Sequence, residues 1–335
     1  MHHTDPQLDH RPDVRPPADW ERFWQDTLAE TAQHPLAPVH ERVDSGLRLI
    51  ETYDTVFAGF GGAPIRAWLH LPACEPADPL PCVVEYIGYG GGRGMPHERV
   101  MWAAAGYAHL VMDSRGQGAV WAAGHTPDPA PAGGPAHPGF ATRGITDPHG
   151  YYYRRLFTDA VRAVQAAAAH PRVDAGRVAV AGSSQGGALA LAAAGLLPGL
   201  AAALVDVPFL AGIGHALRSA TEGPYLEIIR YLAMHPGNEH AALRTLSYMD
   251  GSGFAARADA PALFSVGLMD PVCPPAGVDA AFLAYRGAKT IEVYRYSGHE
   301  GGHRAHEHKQ LRWLRDVFGR PRPQPSVRLP GSTAG

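Results

Sequence analysis

The chain has 335 residues, 45% of them hydrophobic and 18% charged, and 29 basic side chains nearly balance 32 acidic ones for a formal net charge of -3. That is enough apolar material for one large α/β domain or two small ones. With no long run of either sign, charge gives no footing for nucleic acid or an anionic membrane surface, and the substrate reads as weakly charged. Cys74, Cys82 and Cys273 are odd in number and lack C-x-x-C spacing, which argues against a disulfide framework or cysteine zinc site and for a reducing, cytoplasmic setting.

Residues 1–17, MHHTDPQLDHRPDVRPP, are polar and proline-rich, with no apolar core for a signal peptide or anchor, and are expected to be flexible. No later apolar run approaches the ~18 residues of a membrane span. Asp19 reads as the N-cap of a helix with Trp20, Phe23, Trp24 and Leu28 on one face, tryptophans that pack rather than react. Segments 51–60 and 65–71 read as strands joined through a turn-rich connection, an antiparallel pair. Strands then alternate with helices. The strands are expected at 82–87, 108–112, 178–181, 203–207, 262–266 and 290–296, and the helices near 98–105, 152–170, 185–196, 239–248, 276–285 and 306–318. This is a doubly wound, mostly parallel sheet with an antiparallel start and helices on both faces, the layout of the α/β-hydrolase fold, as a single domain over 18–318. Two regions interrupt the rhythm. Residues 119–150 are dominated by Pro, Gly, Ala and His, and are read as disordered, as an excursion over the site, or as a subunit contact. Residues 209–231 read as a helical insertion, and the apolar-poor 319–335 as a flexible tail.

Gly182-Ser183-Ser184-Gln185-Gly186 lies between a short β-branched run and a run of helix formers, and matches G-x-S-x-G. In that strand-to-helix turn small neighbours let a strained backbone lift the serine hydroxyl, and the new helix aims free N–H groups at an adjacent oxyanion. A serine hydroxyl needs a base, and the base an acid that fixes its tautomer. Asp270 and His299 follow late strands in the required chain order, so Ser184 is read as nucleophile, His299 as base and Asp270 as acid. Asp206, at the end of an earlier strand, is the rival acid. His299-Glu300-Gly301-Gly302-His303 also fits H-E-x-x-H, but adjacent glycines disfavour the single helix that zinc binding needs, by about 1 kcal/mol each. His303, His306 and His308 are left as the start of the last helix or a weak metal site without function, and neither metal nor cofactor is expected. Gly88-Tyr89-Gly90-Gly91-Gly92-Arg93-Gly94 fits no dinucleotide register. After a strand it supplies the second oxyanion N–H instead, so the expected donors are the backbone amides of Tyr89 and Gln185. Arg115-Gly116-Gln117 reads as structural, its guanidinium tying loops under the site.

Arg115-Gly116-Gln117, Gly182-Ser183-Ser184-Gln185-Gly186 and His299-Glu300 together resemble the signatures of carbohydrate esterase family seven, the acetyl xylan esterases and cephalosporin C deacetylases. The segments 88–94, 138–145, 151–155 and 206–210 resemble the same family, so the likeness covers about 20–318. It implies the triad and oxyanion donors just named, removal of acetyl groups from sugars and from cephalosporin C, no metal, and a hexamer contacting through the excursion. A short pocket walled near Tyr89 and Pro208 would favour acetyl over longer acyl groups. Another α/β-hydrolase, such as a peptidase or carboxylesterase, and a non-catalytic sugar-binding module remain as alternatives.

Overall fold

The computed structural model describes residues 15–73, 78–128 and 136–319. Among these, nine strands form one sheet in the order β1-β2-β3-β5-β4-β6-β7-β8-β9. β1 (Val39–Val43), β2 (Ile50–Ala58) and β3 (Pro64–Pro72) pair antiparallel, and β3 runs antiparallel to β5 (Ala108–Met112). Beyond β5 every pairing is parallel, through β4 (Leu80–Tyr86), β6 (Val173–Ser183), β7 (Ala202–Asp206), β8 (Ala262–Gly267) and β9 (Lys289–Tyr294). Strands β2 to β9 and the longer flanking helices lie where the sequence predicts. Strands β5 and β8 are buried at every position, as both-face coverage requires.

β1 was not foreseen: its sequence Val-His-Glu-Arg-Val is polar and mostly exposed, so no apolar alternation marks it. The helix expected over 98–105 is a single turn, α2 (Met101–Ala104), because Arg99 has φ +52° and interrupts the helical path. The insertion resolves into α5 (Ile213–Ser219) and α6 (Tyr225–Met234), parted at Gly223-Pro224, and a short α8 (Gly251–Ala255) follows α7 (Glu239–Ser247). α9 (Pro275–Ala284) lies where expected, and α10 (His303–Phe318) starts three residues early.

α1 (Trp20–Ala32) buries Trp20, Phe23 and Trp24, and both indole N–H groups donate to the Tyr248 carbonyl at 3.0 Å. Asp19 stands at the N-cap position as expected, its carbonyl accepting the Phe23 N–H at 2.9 Å, but its carboxylate makes no capping bond and instead accepts the Tyr248 hydroxyl at 2.7 Å; Thr27 and Thr31 rather than Leu28 complete the buried face. α3 (Tyr152–Ala168) and α4 (Gln185–Leu196) pack together against the central strands, α4 almost wholly buried through Gly, Ala and Leu. No helix of the described residues is long and apolar enough to cross a membrane.

The described parts of the 119–150 excursion are fastened to their own chain. Phe140, Ala141 and Ile145 are buried, and Asp128 accepts from Arg143 at 3.3 Å and Arg155 at 2.9 Å. Residues 129–135 lie outside the described residues, as do 1–14 and 320–335 of the segments expected to be flexible. The chain steps from β4 to β5 on one side and returns to β6 on the other, so the carboxyl ends of β4 and β6 open a crevice at the point where the strand order reverses.

Candidate active site

Two loops enter that crevice, the glycine-rich one after β4 and the turn after β6. At the turn Ser184 has φ +59° and ψ -120°, a conformation rare for a residue with a Cβ. Main-chain bonds hold it there: Ser184 N–H donates to Asp206 O at 2.9 Å, and Phe209 N–H donates to Ser184 O at 2.9 Å. The flanking glycines are needed for close approach, since a Cβ on Gly182 would lie 2.3 Å from Gly186 and one on Gly186 would lie 2.3 Å from the Tyr86 carbonyl.

His299 lies in the loop after β9 and Asp270 in the loop after β8. The Asp270 Oδ2 accepts from His299 Nδ1 at 2.8 Å, while its Oδ1 accepts the Val272 and Cys273 amides at 2.8 and 2.9 Å. This bond places the imidazole proton on Nδ1 and leaves Nε2 as an acceptor. Ser184, His299 and Tyr89 line one cavity of about 440 Å³, with Glu85, Arg99, Trp121, Pro224 and Val272 among its other walls. Pro208, expected in that wall, instead packs under Gly187 at the start of α4. The Cys273 side chain lies beside Ser184. Burial, then the Asp270 charge, push the Cys273 thiol well above its ordinary range, so it stands beside the serine as a neutral S–H rather than as a rival thiolate.

The oxyanion-hole expectation concerns main-chain groups, and among the described residues neither the Tyr89 nor the Gln185 amide donates to a protein acceptor. Their side chains are otherwise engaged. The Tyr89 hydroxyl donates to the Glu227 carboxylate at 2.8 Å and accepts the amides of Gly139, Phe140 and Ala141 at 3.1, 2.9 and 3.3 Å. The Gln185 amide pairs with Gln117, Nε2 of Gln117 donating to Oε1 of Gln185 at 2.8 Å, and also accepts from Tyr153 at 3.0 Å. Gln117 Oε1 in turn accepts the Gly90 N–H at 2.7 Å, so one side chain orients both loops of the crevice. Arg115 ties loops as expected, through bonds of 2.5 and 2.7 Å to Asp159.

Asp206 does not meet His299. Its oxygens accept from Ser265 at 3.0 Å, His306 at 2.8 Å and Gln310 at 2.7 Å, a buried network that fixes the end of β7 beneath the serine turn. His299 and His303 do not share a helical face either, because Gly301 and Gly302 at φ +52° and +91° separate the loop from α10. The sequence reading missed Gln117, Glu227, Cys273 and Trp121 as neighbours of the site. Two of these left a signal: Gln117 within the Arg115-Gly116-Gln117 signature, and Trp121 as a large aromatic residue in a stretch dominated by Pro, Gly, Ala and His.

The family model described as acetyl xylan esterase (AXE1) matches residues 5–317. The acetyl xylan esterase from Paenibacillus sp. R4 is 38% identical and superposes with a TM-score of 0.83, covering 92% of this chain and 99% of its own. Acetyl xylan esterase 1 from Thermoanaerobacterium sp. JW/SL YS485 is 28% identical with a TM-score of 0.81, over 92% and 97% of the two chains. Acetyl esterase Axe7A from Xylanibacter ruminicola is 26% identical over 275 residues, 79% of this chain, and the match spans 59% of that relative's length. An acylaminoacyl peptidase from Pyrococcus horikoshii, 16% identical with a TM-score of 0.59 over 82% of this chain and 42% of its own, shares the fold alone.

Proposed function

The chain belongs to the acetyl xylan esterase family, and from that premise we propose that it is a serine esterase removing acetyl groups from small acetylated carbohydrates, such as xylo-oligosaccharides, and from cephalosporin C-like esters. The observation that carries the reading is the 2.8 Å bond from His299 to Asp270, at a cavity that also holds the strained Ser184. In this mechanism Ser184 Oγ exchanges its contact with Cys273 for one with His299 Nε2 and attacks the acetyl carbonyl as the imidazole takes its proton. The Tyr89 and Gln185 N–H groups receive the oxyanion of the tetrahedral intermediate, where each donor contributes about 3 kcal/mol. His299 then returns the proton to the sugar oxygen, which leaves as an alcohol. Water, deprotonated by the same imidazole, attacks acetyl-Ser184, and as the acetyl–Oγ bond breaks to release acetic acid the imidazolium returns its proton to Ser184 Oγ.

Tyr89, Pro224 and Val272 set the depth available to the acyl group, and a methylene that does not fit costs about 1–3 kcal/mol. Turnover of p-nitrophenyl acetate, butyrate and octanoate tests this: kcat/KM is expected to fall at least about tenfold from acetate to butyrate and further at octanoate. Equal turnover of all three, or none of acetate, contradicts the acetyl esterase.

A further inference from the structure

Besides Ser184 and His299, the cavity is lined by Glu85, Arg99 and Trp121, which acyl transfer does not use. Trp121 is 52% exposed, yet it is fixed. Its indole N–H donates to the Tyr89 carbonyl at 2.8 Å, and its ring lies so close to the glycine-rich loop that a Cβ on Gly91 would come within 2.2 Å of it. One part of the indole is seated on that loop and the rest is open.

The Arg99 guanidinium carbon lies over the Trp121 ring, 5.5 Å from its centroid. Its Nη1 donates to Glu85 Oε1 at 2.5 Å, and its remaining guanidinium N–H groups have no protein acceptor among the described residues. The left-handed backbone at Arg99, φ +52°, is strain of the kind that surrounding structure must hold in place. Glu85 is clamped as well, through Oε2 and the wholly buried His109 at 2.9 Å. Burial acts to raise the Glu85 pKa, but the His109 hydrogen bond and the Arg99 charge outweigh it and lower it to about 2, so Glu85 is ionised and neutralises Arg99 at pH 7. A fixed aromatic ring beside a planar fork of free donors, with no net charge, suits a ring that has an apolar C–H face and equatorial hydroxyls.

We propose that Trp121 and the Glu85–Arg99 pair form the subsite for the departing sugar, with a neutral pyranose laid on Trp121 and Arg99 donating to its hydroxyls. Arg99 is then a specificity-determining residue of the deacetylation. This rests on the esterase reading above, since acetyl group and sugar must share the cavity that holds Ser184.

The test compares Arg99→Gln and Arg99→Lys with the parent protein on acetylated xylobiose and on p-nitrophenyl acetate, one alcohol a sugar and the other a flat phenol without hydroxyls to bind. The ratio of kcat/KM for the sugar ester over the aryl ester is expected to fall about tenfold in Arg99→Gln, mainly through KM, and by a smaller factor in Arg99→Lys. Should Arg99→Gln fail to fold, the Lys variant carries the comparison. A ratio within twofold of the parent in the folded variants overturns the subsite. So does a larger loss on an ester whose alcohol carries a carboxylate, which would mean that Arg99 reads an anion. A parent protein that turns over neither ester ends the esterase reading, and the subsite with it.

Discussion

Ser184 holds a positive-φ backbone, φ +59° and ψ -120°, a sparsely populated conformation that costs a non-glycine residue about 1–3 kcal/mol, and the main-chain bonds to Asp206 and Phe209 hold it there. Asp270 has one oxygen committed to the Val272 and Cys273 amides, leaving the other for His299. Asp270→Asn keeps the shape but puts an amide where the imidazole needs an acceptor, favouring the wrong tautomer. It is expected to lower kcat by about 10⁴-fold with KM changed only a few-fold. A loss below tenfold would mean that Asp270 does not orient the base. The three proposed catalytic residues were legible because each follows a strand in a fixed order. The choice between Asp270 and Asp206 was less so, since both lie at the carboxyl ends of parallel strands, Asp206 as the last residue of β7 and Asp270 in the loop after β8. Packing favours Asp270, because the Asp206 oxygens are taken by Ser265, His306 and Gln310.

Among the elements, the parallel strands could be read from short β-branched runs, whereas β1 could not, because an exposed polar edge carries no apolar pattern. The pairing of β3 with β5 has a consequence that no pattern announces: it brings His70 opposite His109, both wholly buried. Burial, then the neighbouring His109, lower the His70 pKa to about 3, against an opposing pull from Glu85. An unfolded imidazole binds its proton near pH ~6.5. Between that value and about 3 the unfolded chain therefore holds the extra proton, and stability falls as pH falls. Each pH unit in this window removes up to about 1.4 kcal/mol. The His70 Nδ1 shares a 3.0 Å hydrogen bond with the Thr52 hydroxyl, and in His70→Asn, whose amide can keep that bond, the pH dependence of denaturant unfolding at pH 7, 6 and 5 is expected to be smaller by up to about one proton. Identical slopes in parent and variant would contradict the burial of a neutral His70.

At the scale of the whole molecule, the strand order explains where the site lies. The sheet reverses between β4 and β6, and the loops that leave those strands carry Tyr89 and Ser184. The two interruptions in the sequence rhythm were legible as interruptions, but not their meeting place. The excursion and α6 converge on the Tyr89 phenol, through the amides of 139–141 and the Glu227 carboxylate, contacts across sequence separations of 51 to 138 residues that local patterns do not encode. Arg99 was hidden for the same reason. The central claim is that the folded chain presents one activated serine, and Ser183 makes it testable, because that residue lines the same cavity and is the more exposed of the two. The direct measurement is reaction of the native protein with a serine-directed p-nitrophenyl phosphonate, followed by intact mass and peptide mapping. The account predicts one phosphonyl group per chain, on Ser184, with activity lost in proportion and no labelling of the denatured chain. An adduct on Ser183, or an esterase that stays active and unlabelled, would contradict it.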